Sequence, residues 1–319
     1  MPTFRAGIDL GATKIQAVVV GPDHAVVGQA RHPTPTEGGP PDVAARIADA
    51  VREAAESAGV AVEELGGVGV GSPGAVDQEA GTVASARNLP NWEEPFPLAA
   101  TLTEALGAPV RIDNDVQVAV LGELELGAGK PYSSFLGVWW GTGVGGGIVL
   151  DRTLWLGRGA AGEIGHMVVK RGGARCPCGR RGCLEAYAGR GAMEAKAREL
   201  HDRGHKTVLF DLMKKRGRNR LTSGVWAAAL DKDDHMAEQL VHRAVAALGA
   251  GIASAVNLLD VEAVVIGGGL GTRLGEPYVE KIAAAMQPHL FVDSRPPDML
   301  PAALGDLGGA IGAALLVEP

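Results

Sequence analysis

The sequence predicts an α/β protein built from two halves that open alike. Three observations carry this. Apolar segments of strand length alternate with segments of helical period along the chain. A strand, a Gly/Thr turn and a second strand occupy residues 4–20, and the same device returns at 135–150, about 130 residues later. The 319 residues also suffice for two domains of roughly 150 residues each, enough to bury a core without disulfide staples.

Each element has a local reason. Ala6 to Leu10 and Ile15 to Val20 are apolar and flank the turn Gly11-Ala12-Thr13. From Asp42 to Ala58, apolar residues at Val43, Ile47, Ala50, Val51, Ala54 and Ala58 follow helical spacing, with Asp42 as N-cap. Val68-Gly69-Val70 enters a glycine turn at Gly71-Ser72-Pro73-Gly74. Leu98 to Leu106 reads as a helix, Pro109 to Ile112 as a short strand, and Val116 to Leu126 as a helix. In the second half, Phe135 to Trp140 and Gly145 to Leu150 are strands around Gly141-Thr142-Gly143. A Gly/Cys/His-rich stretch without clear period fills 151–190. Helices are expected at Arg190 to Asp202 and Met236 to Leu259, then a buried strand at Val261 to Ile266 and a last helix at Gly308 to Val317.

Composition narrows the function. Thirty Lys and Arg against 37 Asp and Glu give a net charge of −7, which argues against nucleic acid as the main partner. The basic run Lys214 to Arg220 reads as a solvated loop before a helix. Glycine, at 47 residues, is about double its ordinary ~7% and shows no collagen period, so it is expected in turns and close backbone approaches. Met1 to Arg5 lead straight into a strand-like segment, without the pattern of a leader. The longest uncharged run, Pro131 to Leu150, opens on proline and is too glycine-rich for a spanning helix. A soluble cytoplasmic protein with no membrane partner is expected. The three cysteines all lie between 176 and 183, an odd clustered set unlike a secreted disulfide framework.

Four motifs bear on chemistry. In Asp9-Leu10-Gly11-Ala12-Thr13-Lys14, a tight inter-strand turn brings backbone N–H groups toward an anion, Thr13 adds a hydroxyl and Lys14 a charge. Asp9 would repel a bare phosphate, so a bridging Mg²⁺ is expected. An ordinary hairpin with a surface lysine has the same look. Gly141-Thr142-Gly143-Val144-Gly145-Gly146-Gly147 resembles a dinucleotide fingerprint, but that needs a helix after the glycines, and Ile148-Val149-Leu150 continues as strand. Two matching phosphate turns, one per domain, are the expectation, holding a polyphosphate in the cleft between them. Asp113-Asn114-Asp115 ends a strand with two carboxylates and an amide, and Asn114-x-x-Gln117 also fits a capping box. One carboxylate there can take a proton from a substrate hydroxyl while the amide reads a neighbouring one. Finally, Gly162-Glu163-Ile164-Gly165-His166 precedes Cys176, Cys178 and Cys183, followed by Glu185. One His and three Cys supply four N/S ligands, which suits a tetrahedral structural Zn²⁺.

Together these motifs resemble the ROK family of sugar kinases and repressors. The resemblance covers essentially the whole chain and also includes Asn88-Leu89-Pro90-x-Trp92 and Gly267-Gly268-Gly269. It implies two actin-like, ribonuclease H-like domains with an interdomain cleft, as in the sugar kinase/hexokinase/actin superfamily. The smaller domain would hold residues 1–115 and a C-terminal helix at about 305–319. The larger, with the zinc loop, would hold 116–304. By position, Asp115 is implied as general base for the sugar 6-hydroxyl. Asn88, Asn114, Glu163, His166 and Glu185 are implied as sugar ligands. Asp9, Gly11, Thr13, Lys14, Gly141, Thr142 and Gly143 would form the phosphate and Mg²⁺ site, and Gly267, Gly268, Gly269 and Leu270 the adenosine wall. His166, Cys176, Cys178 and Cys183 would hold the zinc. Asp113 stands where the family commonly has Glu, and Gln117 where a small residue or Asn is frequent, which bears on fine sugar specificity.

The implied activity is ATP-dependent phosphorylation of a hexose at its 6-hydroxyl, with glucose leading and an N-acetylhexosamine, mannose, fructose or allose as alternatives. Polyphosphate is a further candidate phosphoryl source. A family repressor needs a helix-turn-helix ahead of the core, and only eight residues precede Asp9. Sugar and nucleotide are the expected partners, in a homodimer or homotetramer.

Overall fold

The opening hairpin sets the first sheet. In the computed structural model, which describes residues 4–317, Phe4–Leu10 (β1) and Lys14–Val20 (β2) pair antiparallel, with Leu10 opposite Ile15. Both are buried almost throughout, as continuous apolar runs covered on two faces must be. Val26–Pro33 (β3) adds an edge strand beside β2. Its alternate residues are exposed, and Gln29, Arg31 and His32 hide it from an apolar reading.

Pro40–Ala58 (α1) starts two residues before the expected cap. Gly39 is the N-cap, and Pro40 and Pro41 fill the first two positions, where a missing N–H costs nothing. Asp42 sits at the third helical position instead, and its Oδ2 accepts the Gly39 N–H at 2.8 Å. The face that the spacing predicted, Val43, Ile47, Ala50, Val51 and Ala54, is buried. Leu65–Ser72 (β4) runs parallel to β1, so Gly71 and Ser72 are strand and the turn begins at Pro73. A small hairpin follows, Ala75–Asp77 (β5) with Thr82–Ala84 (β6), then Leu98–Leu106 (α2). Val110–Asn114 (β7) lies parallel to β4, and Asp115–Glu125 (α3) leaves its end. The sheet order is β3-β2-β1-β4-β7.

The second sheet repeats this plan. Phe135–Trp140 (β8) and Val144–Leu150 (β9) form the antiparallel hairpin, and Thr153–Leu154 (β10) extends its edge. After an irregular stretch come Glu185–Ala188 (α4), Arg190–Asp202 (α5), Leu209–Lys215 (α6), Ser223–Leu230 (α7) and His235–Leu259 (α8). The basic run is the end of α6 and the loop before α7, exposed throughout. Ala263–Gly267 (β11) lies parallel to β8; Gly268–Leu274 (α9) and Glu276–Met286 (α10) follow, and Asp298–Pro301 (β12) pairs with β11. The order β10-β9-β8-β11-β12 matches the first sheet strand for strand. Helix α8 is long and apolar enough to cross a membrane by length and composition, yet 67% of its most apolar window is buried in the protein. It is a core helix.

The chain divides into two compact units, residues 1–130 with 303–319, and residues 131–302. The first therefore runs to Lys130, past the expected limit at 115, and contains α3. The reason is Gly308–Ala314 (α11), which packs on α3, β1 and β4. Glycines make the approach possible: a Cβ on Gly7 or Gly69 would collide with the backbone of α11 at Ala310 or Ala313. The last helix ends at Ala314, short of the expected Val317, and residues 318–319 of the expected segment lie outside the described residues.

Glu123 of α3 fastens this return of the chain. It is 1% exposed, and its carboxylate accepts the N–H groups of Ala128 (2.7 Å), Ala303 (3.0 Å) and Leu304 (2.9 Å). Nothing in the sequence separates it from a surface glutamate. Glu123→Ala leaves three part-buried donors without this acceptor and is expected to cost roughly 1–3 kcal/mol in urea unfolding. A loss under 1 kcal/mol would mean that water replaces the carboxylate there.

Candidate active site

In the first unit the expected residues gather along one edge of the sheet. Across the parallel strands, Asp9 is in register with Gly71 and Gly71 with Asp113, while Ser72 faces Asn114. Asp9 and Asp113 are thus two strands apart, about 10 Å, at the carboxyl ends where open α/β sheets bind ligands. Burial pushes both carboxyls above the usual range. Lys14 opposes the shift at Asp9 and Asp306 adds to it. At Asp113 the Asn114 N–H (2.7 Å) and the Gln78 side chain oppose it.

Asn114 caps α3 as expected: its Oδ1 accepts from Val116 N–H at 2.9 Å and Gln117 N–H at 3.3 Å. The return arm of a capping box differs from expectation. The Asn114 N–H goes to Asp113 rather than Gln117, because Asp113 precedes it directly on the strand. Asp115 is the first residue of α3, and its Oδ1 lies 3.0 Å from the Val116 N–H. Asn88 is exposed in a loop anchored by Trp92, whose indole donates to Val83 O at 2.9 Å.

Raised by burial, Asp9 destabilises the folded chain when ionised. That penalty is absent at pH values below its unfolded range and complete above its folded pKa. Asp9→Asn should therefore raise Tm at pH 7, with the gain vanishing as pH falls below 4, if the carboxylate serves a ligand rather than the fold. A lower Tm at pH 7 would show a structural role.

The two Gly/Thr turns are braced alike, each within its own unit. The Gly11 N–H donates to Lys14 O (2.9 Å), and the Gly141 N–H to Gly143 O (3.0 Å). Their carbonyls are occupied from outside. Thr34 donates through Oγ1 to Gly11 O (2.7 Å) and through N–H to Thr13 O (3.4 Å). Arg190 and Gly191 donate their N–H groups to Gly141 O (3.1 Å) and Thr142 O (3.0 Å). Oxygens that would repel an anion are engaged elsewhere. The Arg190 guanidinium also donates to Thr142 Oγ1 at 2.6 Å. Thr34 and Arg190 escaped the sequence reading because each lies far along the chain from the turn it braces.

The Gly267–Gly269 segment reaches the second turn, since Gly267 is in register with Trp139 and a Cβ on Gly141 would stand 3.8 Å from Gly269 N. Leu270 lies next to these glycines in the chain. Its side chain is fully buried in the unit's core, so only backbone and the three glycines can face a ligand there.

The Cys/His cluster assembles as the spacing implied. One ligand atom from each of His166, Cys176, Cys178 and Cys183 lies within 4.8 Å of all the others. Cys178 Sγ and Cys183 Sγ are 3.8 Å apart, as are Cys176 Sγ and His166 Nδ1. A tetrahedron with Zn–S of about 2.3 Å has S···S edges of about 3.8 Å, so the donor set fits zinc. All three cysteines are free. Burial pushes the Cys176 thiol up to about 12, while the Arg180 N–H holds Cys178 below its usual value. His166 turns Nε2 toward Glu163 Oε2 at 3.8 Å. Glu185 bridges outward: Oε1 lies 3.7 Å from Cys176 Sγ, and Oε2 accepts the Val144 N–H at 3.0 Å. A Cβ on Gly143 would displace that carboxylate from its place beside the turn.

The ROK family model matches residues 5–319. The chain belongs to the ROK family. Glucokinase from Thermotoga maritima is 33% identical over 100% of this chain and 98% of its own. N-acetylmannosamine kinase from Haemophilus influenzae is 31% identical over 98% and 94%. The crystal structure of a ROK family glucokinase from Streptomyces griseus, in complex with glucose and AMPPNP, superposes with a TM-score of 0.84 at 30% identity, covering 99% of both chains. With the repeated sheets, this establishes the α/β class and the actin-like sugar kinase fold of ROK proteins.

Proposed function

We propose that the protein transfers the terminal phosphoryl group of ATP to the 6-hydroxyl of a hexose, glucose first. The observation that carries the reading is the strand-end row of Asp9, Asp113, Asn114 and Asp115, together with two Gly/Thr turns whose carbonyls are tied back. The glucokinase relatives and the AMPPNP- and glucose-bound neighbour support the same chemistry.

In this reading Asp115 accepts the proton of the 6-hydroxyl. Asn88, Asn114, Glu163, His166 through Nε2, and Glu185 orient the sugar hydroxyls. Phosphoryl transfer rests mainly on positioning and charge neutralisation. Thr13, Lys14, Thr142 and the turn backbones hold the phosphates, and Gly267 to Gly269 line the nucleotide. Mg²⁺, held by Asp9, would neutralise phosphate charge. A structural zinc on His166 and the three cysteines would fix the loop that carries Glu163 and Glu185.

The relative from Haemophilus influenzae supports a second reading, an N-acetylhexosamine kinase. A panel of glucose, mannose, fructose, allose, N-acetylglucosamine and N-acetylmannosamine, each with ATP or polyphosphate and read as sugar phosphate formed, decides between them. The highest kcat/KM is expected for glucose with ATP. A preference for an acetylated sugar of tenfold or more establishes the second reading, and no turnover of any sugar refutes both.

A further inference from the structure

Arg190 is an arginine held in one place by three groups. Its backbone N–H braces Gly141, one guanidinium nitrogen donates to Leu221 O at 3.0 Å, and the other to Thr142 Oγ1 at 2.6 Å. Its Nε is buried without a hydrogen-bond partner among the described residues. Burial lowers its pKa, and Glu194 opposes that shift. A guanidinium partly withdrawn from water exerts a stronger field than one fully in solvent.

The bond to Thr142 fixes the chemistry of that hydroxyl. A threonine oxygen has two lone pairs and one hydrogen. Arg190 can only donate, so the Thr142 oxygen accepts from it, and the hydroxyl hydrogen must point elsewhere. A cavity of about 200 Å³ opens at this point, lined by Thr142, Arg190, Glu194, Arg198 and Arg220. Glu194 is already committed, to Arg198 at 2.6 Å and to the Leu221 N–H at 3.0 Å. Three arginines against one glutamate leave the lining net cationic.

We infer that Arg190 is a positioning residue for the nucleotide, acting through Thr142: it occupies the hydroxyl oxygen and thereby commits the hydroxyl hydrogen to a phosphate oxygen lying beside that cavity. This rests on the assignment of Thr142 to the phosphate site. It also makes the second turn specific for an anion in a way that its glycines alone do not.

A double-mutant cycle read by calorimetry of Mg·ADP binding tests it, without requiring turnover. Arg190→Met and Thr142→Val should each weaken ADP binding roughly tenfold or more, as loss of a charge-assisted hydrogen bond does. The double variant should lie within about twofold of either single one, because both remove the same contact. Arg190→Lys, which keeps a donor and a charge, should recover part of the affinity, and glucose binding should hold within twofold throughout. If the two single effects multiply in the double variant, Arg190 acts independently of Thr142 and the inference falls. It also falls if Arg190→Met weakens glucose and ADP alike, the mark of a merely structural arginine. Wild-type protein that binds ADP yet phosphorylates no sugar refutes the kinase reading, and the cycle still decides the role of Arg190. Wild-type protein that binds no ADP overturns both.

Discussion

Asp115→Asn should lower kcat by roughly 10²–10⁴, the usual worth of a general base, with sugar affinity changed less than twofold. The substitution is close to isosteric and retains an acceptor for the Val116 N–H, now 3.0 Å from Oδ1. It removes a negative charge from the first turn of α3, which costs stability by about 0.3–1 kcal/mol. Loss of activity therefore cannot be assigned to unfolding if Tm falls by only a few degrees. Asp113→Asn is the paired control. Asp113 is 7% exposed, and its carboxyl is engaged by Asn114 and Gln78. Its neutralisation should leave kcat within about tenfold. If the two variants behave in the opposite order, Asp113 is the base. Steady-state kcat and calorimetric sugar affinity on both variants decide the matter.

Cys178→Ala should empty the metal site and raise the sugar KM tenfold or more, while the KM for ATP moves less than threefold. The loop that carries Glu163 also supplies His166 to the cluster, and Glu185 contacts Cys176. Without a metal, the thiols and the imidazole have no common partner, and both carboxylates lose their reference. The second turn keeps its own braces, Arg190 and Gly191, which lie outside the cysteine loop. Elemental analysis should find one zinc per chain in the wild type and less than a tenth of that in the variant. Thiolates compete with protons for the metal, so zinc should be lost progressively as pH falls. A wild-type protein free of metal and fully active would refute the role of the cluster. So would a variant whose sugar KM is unchanged.

Much of this was legible because it depends on near neighbours in the chain. Continuous apolar runs gave β1, β2, β8 and β9, and helical spacing gave α2, α5 and α8 to within a residue or so. The Cys-x-Cys-x₄-Cys spacing with His166 upstream led to a cluster that the folded chain assembles. Asn114 could be read as a cap because the groups it serves are two and three residues away. Strand β3 was missed because an edge strand with polar alternate residues resembles a loop. Asp42 was misplaced by three positions, from N-cap to third helical residue, because the two prolines before it begin the helix themselves.

The sequence by itself determined the α/β class, the repeated hairpin and the chemical inventory of the candidate site. Only the tertiary structure decided which distant groups hold that inventory in place. Thr34 reaches Gly11 from the end of β3, Arg190 reaches Thr142 across 48 residues, and Glu123 takes the N–H groups of Ala303 and Leu304 across about 180. Register across β1, β4 and β7 sets Asp9 in line with Asp113, and packing of α11 against α3 extends the first unit to Lys130. The physical reason is common to all of them. Apolar periodicity and cap chemistry act over a few residues, whereas a hydrogen bond or a packed face is indifferent to how far apart its partners lie along the chain.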